Sequence, residues 1–409
     1  MNILLINHYA GSVHHGREFR PYYIGKEWVK LGHNVTIICS DYSHLRLKNP
    51  KINFDLQEEI IDGITYCWLK GNKYKNNGIK RAFSMFLFVS KLFFYSKKLI
   101  NRYKPDVVIS SSTYPLDAFA GRYLSKLSGA KFIHEVHDMW PATLYEIGGM
   151  SKYNPFAVLM QLAENYAYRQ CDELVSLMPY TRDYMVKHGL QEKKFHNIQN
   201  GIVEEEWLSP KQLPQEHLDF FELYKNKFIV GYFGGFSVSN ALDNLLDVAK
   251  KQNDKEILFV LVGNGTEKNR LIQRTQNEKI SNVYFLPAVE KQCIPNLLKR
   301  FSCIAIIQAY SSLYRFGVCL NKMYDSMMSA KPIICSISAP NTLVEEYKCG
   351  ISLKTQDVEE INKAILKIKN MSDNERRQMG ENGRKAVLEH FTYRKLAEQF
   401  LEIMEETIK

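Results

Sequence analysis

A chain of 409 residues, 45% hydrophobic and 24% charged, is too long for one ordinary core and too apolar to be disordered, so two globular domains are expected. The formal net charge of +10 points to anionic partners, whether a nucleotide, a phospholipid surface or a nucleic acid. Eight cysteines, scattered without C-x-x-C spacing and mostly inside apolar runs, exclude a zinc or disulfide framework and read as reduced residues of a cytosolic protein.

The opening "MNILLINHYAGS" is apolar only briefly and has no basic segment before it, which predicts a first strand over 2–7 rather than a secretory signal. Further strands are predicted at 34–40, 64–69, 106–111, 131–136, 173–178 and 195–199. A second series follows at 228–234, 257–263, 283–287, 303–308, 332–337 and 350–354. Runs apolar on both faces and separated by helical stretches indicate buried parallel sheets. The pattern restarts after a segment holding Asn-Gly, two prolines and many charges. The expected organisation is therefore α/β, with Rossmann-like, doubly wound domains at 1–205 and 225–390 and a linker at 206–224. A ligand cleft would lie where the carboxyl ends of the two sheets face each other. The last helix, 393–409, carries Leu396, Phe400, Leu401 and Met404 at helical spacing and must pack on one of the domains.

Six stretches could carry chemistry. The glycine turn after the first strand, "HYAGSVHHGREFRP", brings Gly16, Arg17, Glu18 and Arg20 to a strand end, where backbone can approach a ligand. In "GIKRAFSMFLFVSKLFFYSKKLINRYK" (78–104), aromatic and aliphatic residues alternate with lysine and arginine and no acid occurs. That composition suits either a helix lying in an anionic membrane surface or a core helix with a basic face, and it is too interrupted by lysine to span a bilayer.

In "EVHDMWP", strand alternation sends His134 and His137 to opposite faces, a poor chelating pair. Glu135 and His137 share a side, His137 falls at the strand's carboxyl end, and Pro141 stops the strand. A loop histidine making a structural hydrogen bond is the plainer alternative. The glycine turns "YFGGFSVSN", with Gly234 and Gly235, and "LVGNGTEKN", with Gly263 and Asn264, are weak nucleotide signals by themselves. Finally, "SSLYRFGVCLNKMYDSMMSAKPIICSI" passes Arg315 and Gly317 and enters a helix through Asn321, with Lys322 and Asp325 on one face. A helix start with two cations would suit a diphosphate, and an acidic residue a ribose; an ordinary Lys-Asp surface pair is the competing reading.

Taken in order, "REFRPYYIGKEWVKLGHNVTIICSDYSHLR", "HEVHDMWP", "IQNGI", "VGYFGGFSVSNALDNLLDVA", "LVGNG", "RFGVCLNKMYDSMMSAKPII" and "NTLVEEYKCGISL" resemble the retaining GT-B glycosyltransferases of family 4, over nearly the whole chain. The resemblance implies a two-domain GT-B fold with the acceptor mostly on the first domain and a nucleotide sugar, UDP-linked, mostly on the second. It implies that Asp325 holds the ribose, that His137 contacts the donor sugar with Asp138 or Glu135 as support, and that helix 393–409 crosses back onto the first domain. Two departures stand out. Gly317 replaces the first of the family's paired glutamates, and "GGFSVSNALDN" lacks the family's diphosphate cations, so Arg315 and Lys322 are expected to substitute.

No D-x-D motif of the metal-dependent kind stands at a strand end, so neither metal nor cofactor is expected. The function so implied is transfer of a hexose or N-acetylaminosugar to a lipid-linked or oligosaccharide acceptor. It belongs to bacterial O-antigen, lipopolysaccharide or capsule synthesis, by a cytoplasmic protein peripheral to the inner face of the plasma membrane through 78–104. A nucleotide-sugar 2-epimerase of the same architecture is the alternative. A non-enzymatic anionic-surface module ranks below both, and no nucleic-acid partner is expected because no recognised nucleic-acid module occurs.

Overall fold

The structure, a computed structural model, describes residues 1–16, 19–44, 46–74, 78–340 and 342–409. Arg17 and Glu18 of the first glycine loop lie outside the described residues. The chain divides into two compact units, residues 1–200 with 393–409, and residues 201–392.

Unit 1 is built on an eight-stranded sheet of order β3-β4-β2-β1-β5-β6-β7-β8. Its strands are β1 (Asn2–Ile6), β2 (Asn34–Ser40), β3 (Gln57–Ile61), β4 (Ile64–Leu69), β5 (Val107–Ser110), β6 (Lys131–Val136), β7 (Glu173–Ser176) and β8 (Phe195–Asn197). Every pair is parallel except β3 with β4. The central strands are buried on both faces because helices cover both. Leu4, Ile6, Ile38 and Val108 meet Phe88 and Leu92 of α2 (Ile79–Phe94), Leu99 of α3 (Ser96–Tyr103) and Leu124 of α4 (Asp117–Ser128). Elsewhere α1 (Arg20–Lys30) packs against the helix Tyr393–Ile408. The Trp28 indole donates to the Ala397 carbonyl at 3.0 Å and meets the Phe400 ring edge-on. Two helices follow β6, the short α5 (Ala142–Glu146) and the longer α6 (Pro155–Gln170), the latter capped by the Asn154 side chain with Pro155 in its first turn.

The sequence reading has no strand at 57–61. In "QEEII" only Ile61 is buried, a pattern open to an antiparallel edge strand but invisible to a search for apolar runs.

Unit 2 is a six-stranded, wholly parallel sheet of order β11-β10-β9-β12-β13-β14. The strands are β9 (Phe228–Gly235), β10 (Ile257–Asn264), β11 (Val283–Leu286), β12 (Cys303–Ile307), β13 (Ile333–Ser336) and β14 (Gly350–Leu353). The segment 206–224 is not a linker. It contributes the helices Glu204–Leu208 and Gln215–Leu223, and Leu213 and Phe221 are buried in the core with Ile229 and Phe301. The prolines that suggested a break instead set helix boundaries: Pro214 precedes the second helix as its N-cap.

The strand orders locate the sites. In unit 1 the winding reverses between β1 and β5, and in unit 2 between β9 and β12. Loops leaving such a pair run to opposite sides and leave a crevice at the carboxyl ends, the place where open α/β sheets bind ligands.

Candidate active site

At the crevice of unit 1, the period of two along β6 puts Glu135 and His137 on one side. Glu135 Oε2 accepts from the Ser111 hydroxyl at 2.5 Å and from His137 Nε2 at 2.9 Å. Its other oxygen accepts from Arg20 Nε at 2.9 Å, and Ser111 Oγ is also 2.8 Å from His137 Nε2. Arg20 is itself buried and also donates to the carbonyls of Ile198 and Gln199 and to Asn200 Oδ1, tying the end of β6 to the segment after β8. Burial pushes the Glu135 carboxyl up, but the Arg20 and His137 charges outweigh it and hold it well below the ordinary glutamate range. A carboxylate facing Nε2 puts the ring proton there. Nδ1, which has no partner among the described residues, is left to hydrogen-bond a ligand hydroxyl.

Asp138 does not join this group. Its Oδ1 accepts from the Met139 amide and the Thr143 hydroxyl, at 2.8 and 3.1 Å, which turns it to the start of α5. Of the two acids flanking His137, Glu135 therefore orients the ring. His134 points away, bonded to Ser110 Oγ at 2.7 Å, and burial lowers its pKa to about 4. The Trp140–Pro141 peptide is cis, and the Trp140 ring lies 5.8 Å from the Arg81 guanidinium of α2. Of the expected glycine-loop residues, Gly16 adopts φ 71°, where a Cβ would come 2.8 Å from Leu47 Cγ. Arg20 serves Glu135 rather than an open face.

At the crevice of unit 2, the central group is Lys322, in the first turn of the helix Asn321–Met328. Its Nζ donates to Asn240 Oδ1 at 2.6 Å and to the Tyr232 hydroxyl oxygen at 3.3 Å. No carboxylate among the described residues bonds to it, and burial lowers its pKa to about 8. Asn240 is fixed in turn: Oδ1 also accepts from Gln308 Nε2 at 2.9 Å, and Nδ2 donates to the Gly235 carbonyl at 2.9 Å. Gln308 follows β12 and Asn240 follows β9, so this network spans the point where the sheet reverses. Gly234, at φ 126°, is the nearest backbone, since a Cβ there would lie 3.7 Å from Nζ. Gly263 is required by the close approach of β9 and β10, because its Cβ would meet the Gly234 carbonyl oxygen at 1.9 Å. Asn264 Oδ1 accepts from the Gly265 amide at 2.9 Å, which shapes the neighbouring turn.

Asp325 lies one turn along from Lys322. Burial raises its pKa to about 6; Lys291 and a hydrogen bond from the Trp207 indole act against this, and Glu206 adds to it. Glu206 and Trp207 come from the segment expected to be a linker. Asn321 opens the helix and is exposed, and Gly317 takes φ 85° in the turn before it. Arg315 is exposed, with its guanidinium over the Phe316 ring at 4.3 Å and donating to the Ser312 carbonyl at 2.7 Å. These two contacts lie within its own turn.

Sequence reasoning missed Ser111, Tyr232, Asn240, Gln308 and Trp207. The signal for Asn240 is chemical: in "GGFSVSNALDN" it is the one buried amide of a loop without cations, 82 residues from the lysine it holds.

Two family models match the chain, that for Glycosyltransferase Family 4 over residues 16–206 and that for Glycosyl transferases group 1 over residues 215–386. A protein of Escherichia coli strain K12 named for colanic acid biosynthesis, the glycosyl transferase WcaI, is 24% identical over 51% of this chain and 52% of its own length. The probable glycosyltransferase WbjE of Pseudomonas aeruginosa is 24% identical over 64% of each chain. The chain thus spans about half to two thirds of the length of these relatives. Among solved structures, Anabaena HepE in complex with UDP superposes with a TM-score of 0.68 at 13% identity, covering 99% of this chain and 100% of the other.

Proposed function

The chain belongs to the GT-B glycosyltransferases of the group 1, family 4 type, and on that premise we propose that it moves a hexose or N-acetylaminosugar from a UDP-linked donor to a lipid-linked or oligosaccharide acceptor, with retention at the anomeric carbon. The setting proposed is surface polysaccharide synthesis at the cytosolic face of the membrane. The observation that carries the reading is Lys322: a largely buried ammonium, fixed by two neutral partners beside Gly234 and bonded to no carboxylate among the described residues, is built to receive an anion. The name of WcaI supports a role in polysaccharide synthesis, and the UDP held by HepE supports the choice of base.

In this reading, Lys322 and the free N–H groups of the helix start at Asn321 receive the diphosphate, and Asp325 accepts from the ribose hydroxyls. The bond from the anomeric carbon to the diphosphate oxygen breaks and its electron pair stays on phosphate, where Lys322 neutralises it. The acceptor hydroxyl forms the new bond from the same face and passes its proton to the departing phosphate oxygen. His137, with Nε2 held by Glu135 and Ser111, hydrogen-bonds a sugar hydroxyl through Nδ1 and fixes the ring for attack.

The test is a thermal-shift panel of nucleotide sugars, followed by incubation of the best donor with and without polyprenyl-diphosphate saccharides. Donor stabilisation by a UDP-sugar and acceptor-dependent release of UDP are expected. His137→Ala should lower turnover by about a hundredfold while retaining donor binding. Epimerisation of the sugar without any acceptor would replace the transferase by a 2-epimerase, and near-normal turnover by His137→Ala would remove that residue from the mechanism.

A further inference from the structure

Helix α2 is apolar on two sides. Met85, Phe88 and Leu92 are buried against unit 1, as a core-facing stripe requires. Yet Ile79, Phe83, Phe86 and Phe93 are exposed, at successive steps of four, three and seven residues, which is one continuous helical face turned outward. Phe94 beside it is 79% exposed, where a helix in water would present charge.

The neighbouring helices extend this face. α4 packs against both α2 and α6. The Phe93 ring lies 5.3 Å from that of Tyr123 on α4, and the Phe86 ring 6.4 Å from that of Phe156 on α6. Tyr123 and Leu127 of α4, and Val158 and Leu162 of α6, are exposed as well. An uncovered apolar surface built from three helices exceeds the scattered single residues normal on a protein surface.

Its charge is one-sided. α2 and α3 contain no acid, and the single acids of α4 and α6, Asp117 and Glu164, are buried. Lys91 and Arg102 are paired with Asp55 and Glu58, but Lys80, Lys97, Lys98 and Lys126 are exposed along the rim. A second copy meeting this face by two-fold symmetry would set exposed lysines against lysines, with Asp55 and Glu58 already engaged by Lys91 and Arg102. A bilayer with anionic headgroups answers both features, taking aromatic rings into its interface and lysines at headgroup level.

We propose that unit 1 docks on an anionic membrane surface through the outer faces of α2, α4 and α6, not through the segment 78–104 alone. This rests on the reading of the acceptor as lipid-linked, and it bears on where that acceptor enters. Arg81, at the start of α2, has its guanidinium 5.5 Å from the Tyr9 ring and 5.8 Å from that of Trp140, in the loop that follows His137. The docking face therefore begins beside the catalytic loop of unit 1, and a lipid anchor in the bilayer would present its headgroup on the His137 side.

The experiment is flotation of the whole chain with phosphatidylcholine vesicles, with and without phosphatidylglycerol, at low and high salt. Binding is expected only with phosphatidylglycerol and to weaken with salt. Phe83→Ser/Phe86→Ser, Val158→Ser/Leu162→Ser and Lys97→Glu/Lys98→Glu should each reduce vesicle partition by about tenfold or more, with melting temperature and UDP binding unchanged. Absence of flotation at low salt, or equal partition of wild type and all three variants, overturns the proposal. So does a lipid-free dimer that Phe83→Ser/Phe86→Ser dissolves, which would make the face a self-interface. Loss of α2 variants alone, with Val158→Ser/Leu162→Ser unaffected, overturns the three-helix surface. Because flotation needs no donor, failure of UDP to bind would sink the transferase reading separately.

Discussion

The two sheet-reversal points are built on opposite electrostatic plans. In unit 1, Arg20, Glu135, Ser111 and His137 satisfy one another, so the buried carboxylate carries its counter-charge within the fold. In unit 2, Lys322 is largely withdrawn from solvent with an amide and a phenol for company and no carboxylate among the described residues bonded to it, so its counter-charge is left to come from a ligand. The first arrangement fixes a geometry before any ligand arrives. The second holds an unfavourable charge in place until a ligand relieves it, a common cost of function in binding sites.

That contrast predicts mutations of opposite sign. Glu135→Gln leaves the Arg20 guanidinium buried without its charge partner and should cost about 3–5 kcal/mol of unit 1 stability, read by denaturant unfolding. The sign with pH follows: the Glu135 carboxyl is held low in the folded state, so its contribution is present above the ordinary glutamate value of 4.5 and lost as pH falls below it. The variant should lack that acid limb, and an identical acid limb would mean the pair does not carry the network. Lys322→Met should do the reverse, raising the melting temperature while weakening UDP-sugar binding by about tenfold or more, as measured by calorimetry. A variant that lost stability and kept donor affinity would place Lys322 with Glu135 as a structural charge.

The smallest effect expected is on pH. With Lys322 near 8, its ammonium is charged below that value and is lost as pH rises through it; with Asp325 near 6, its carboxylate is lost as pH falls through it. Donor affinity should therefore be greatest between about pH 6 and 8 and fall severalfold on either side. A profile flat across this window would remove both groups from donor binding.

How much of this could be read from the chain depends on the range of the interaction. Strands such as "NILLI" and "ILFVLVG" declare themselves because both their faces are buried, and the pairing of Glu135 with His137 follows from local alternation along one strand. β3 escaped because an exposed edge has no apolar signature. Asn240 and Trp207 escaped because their partners, Lys322 and Asp325, lie far along the chain and meet them only once the sheet has formed. Asp138 misled for the converse reason: it adjoins His137 in sequence, but the turn into α5 carries its carboxylate to Thr143. The linker reading failed because prolines mark helix starts as readily as chain breaks.

The helix Tyr393–Ile408 has a consequence for synthesis. It buries Leu396, Phe400 and Met404 within unit 1, and Trp28 depends on it for both its ring contact and its indole hydrogen bond. At about 1.5–3 kcal/mol for each large apolar side chain removed from water, these contacts are a sizeable fraction of what holds a domain together. Unit 1 is translated first and completed last. While the ribosome makes the whole of unit 2, α1 waits with an indole and an apolar stripe uncovered, a target for chaperones in the interval.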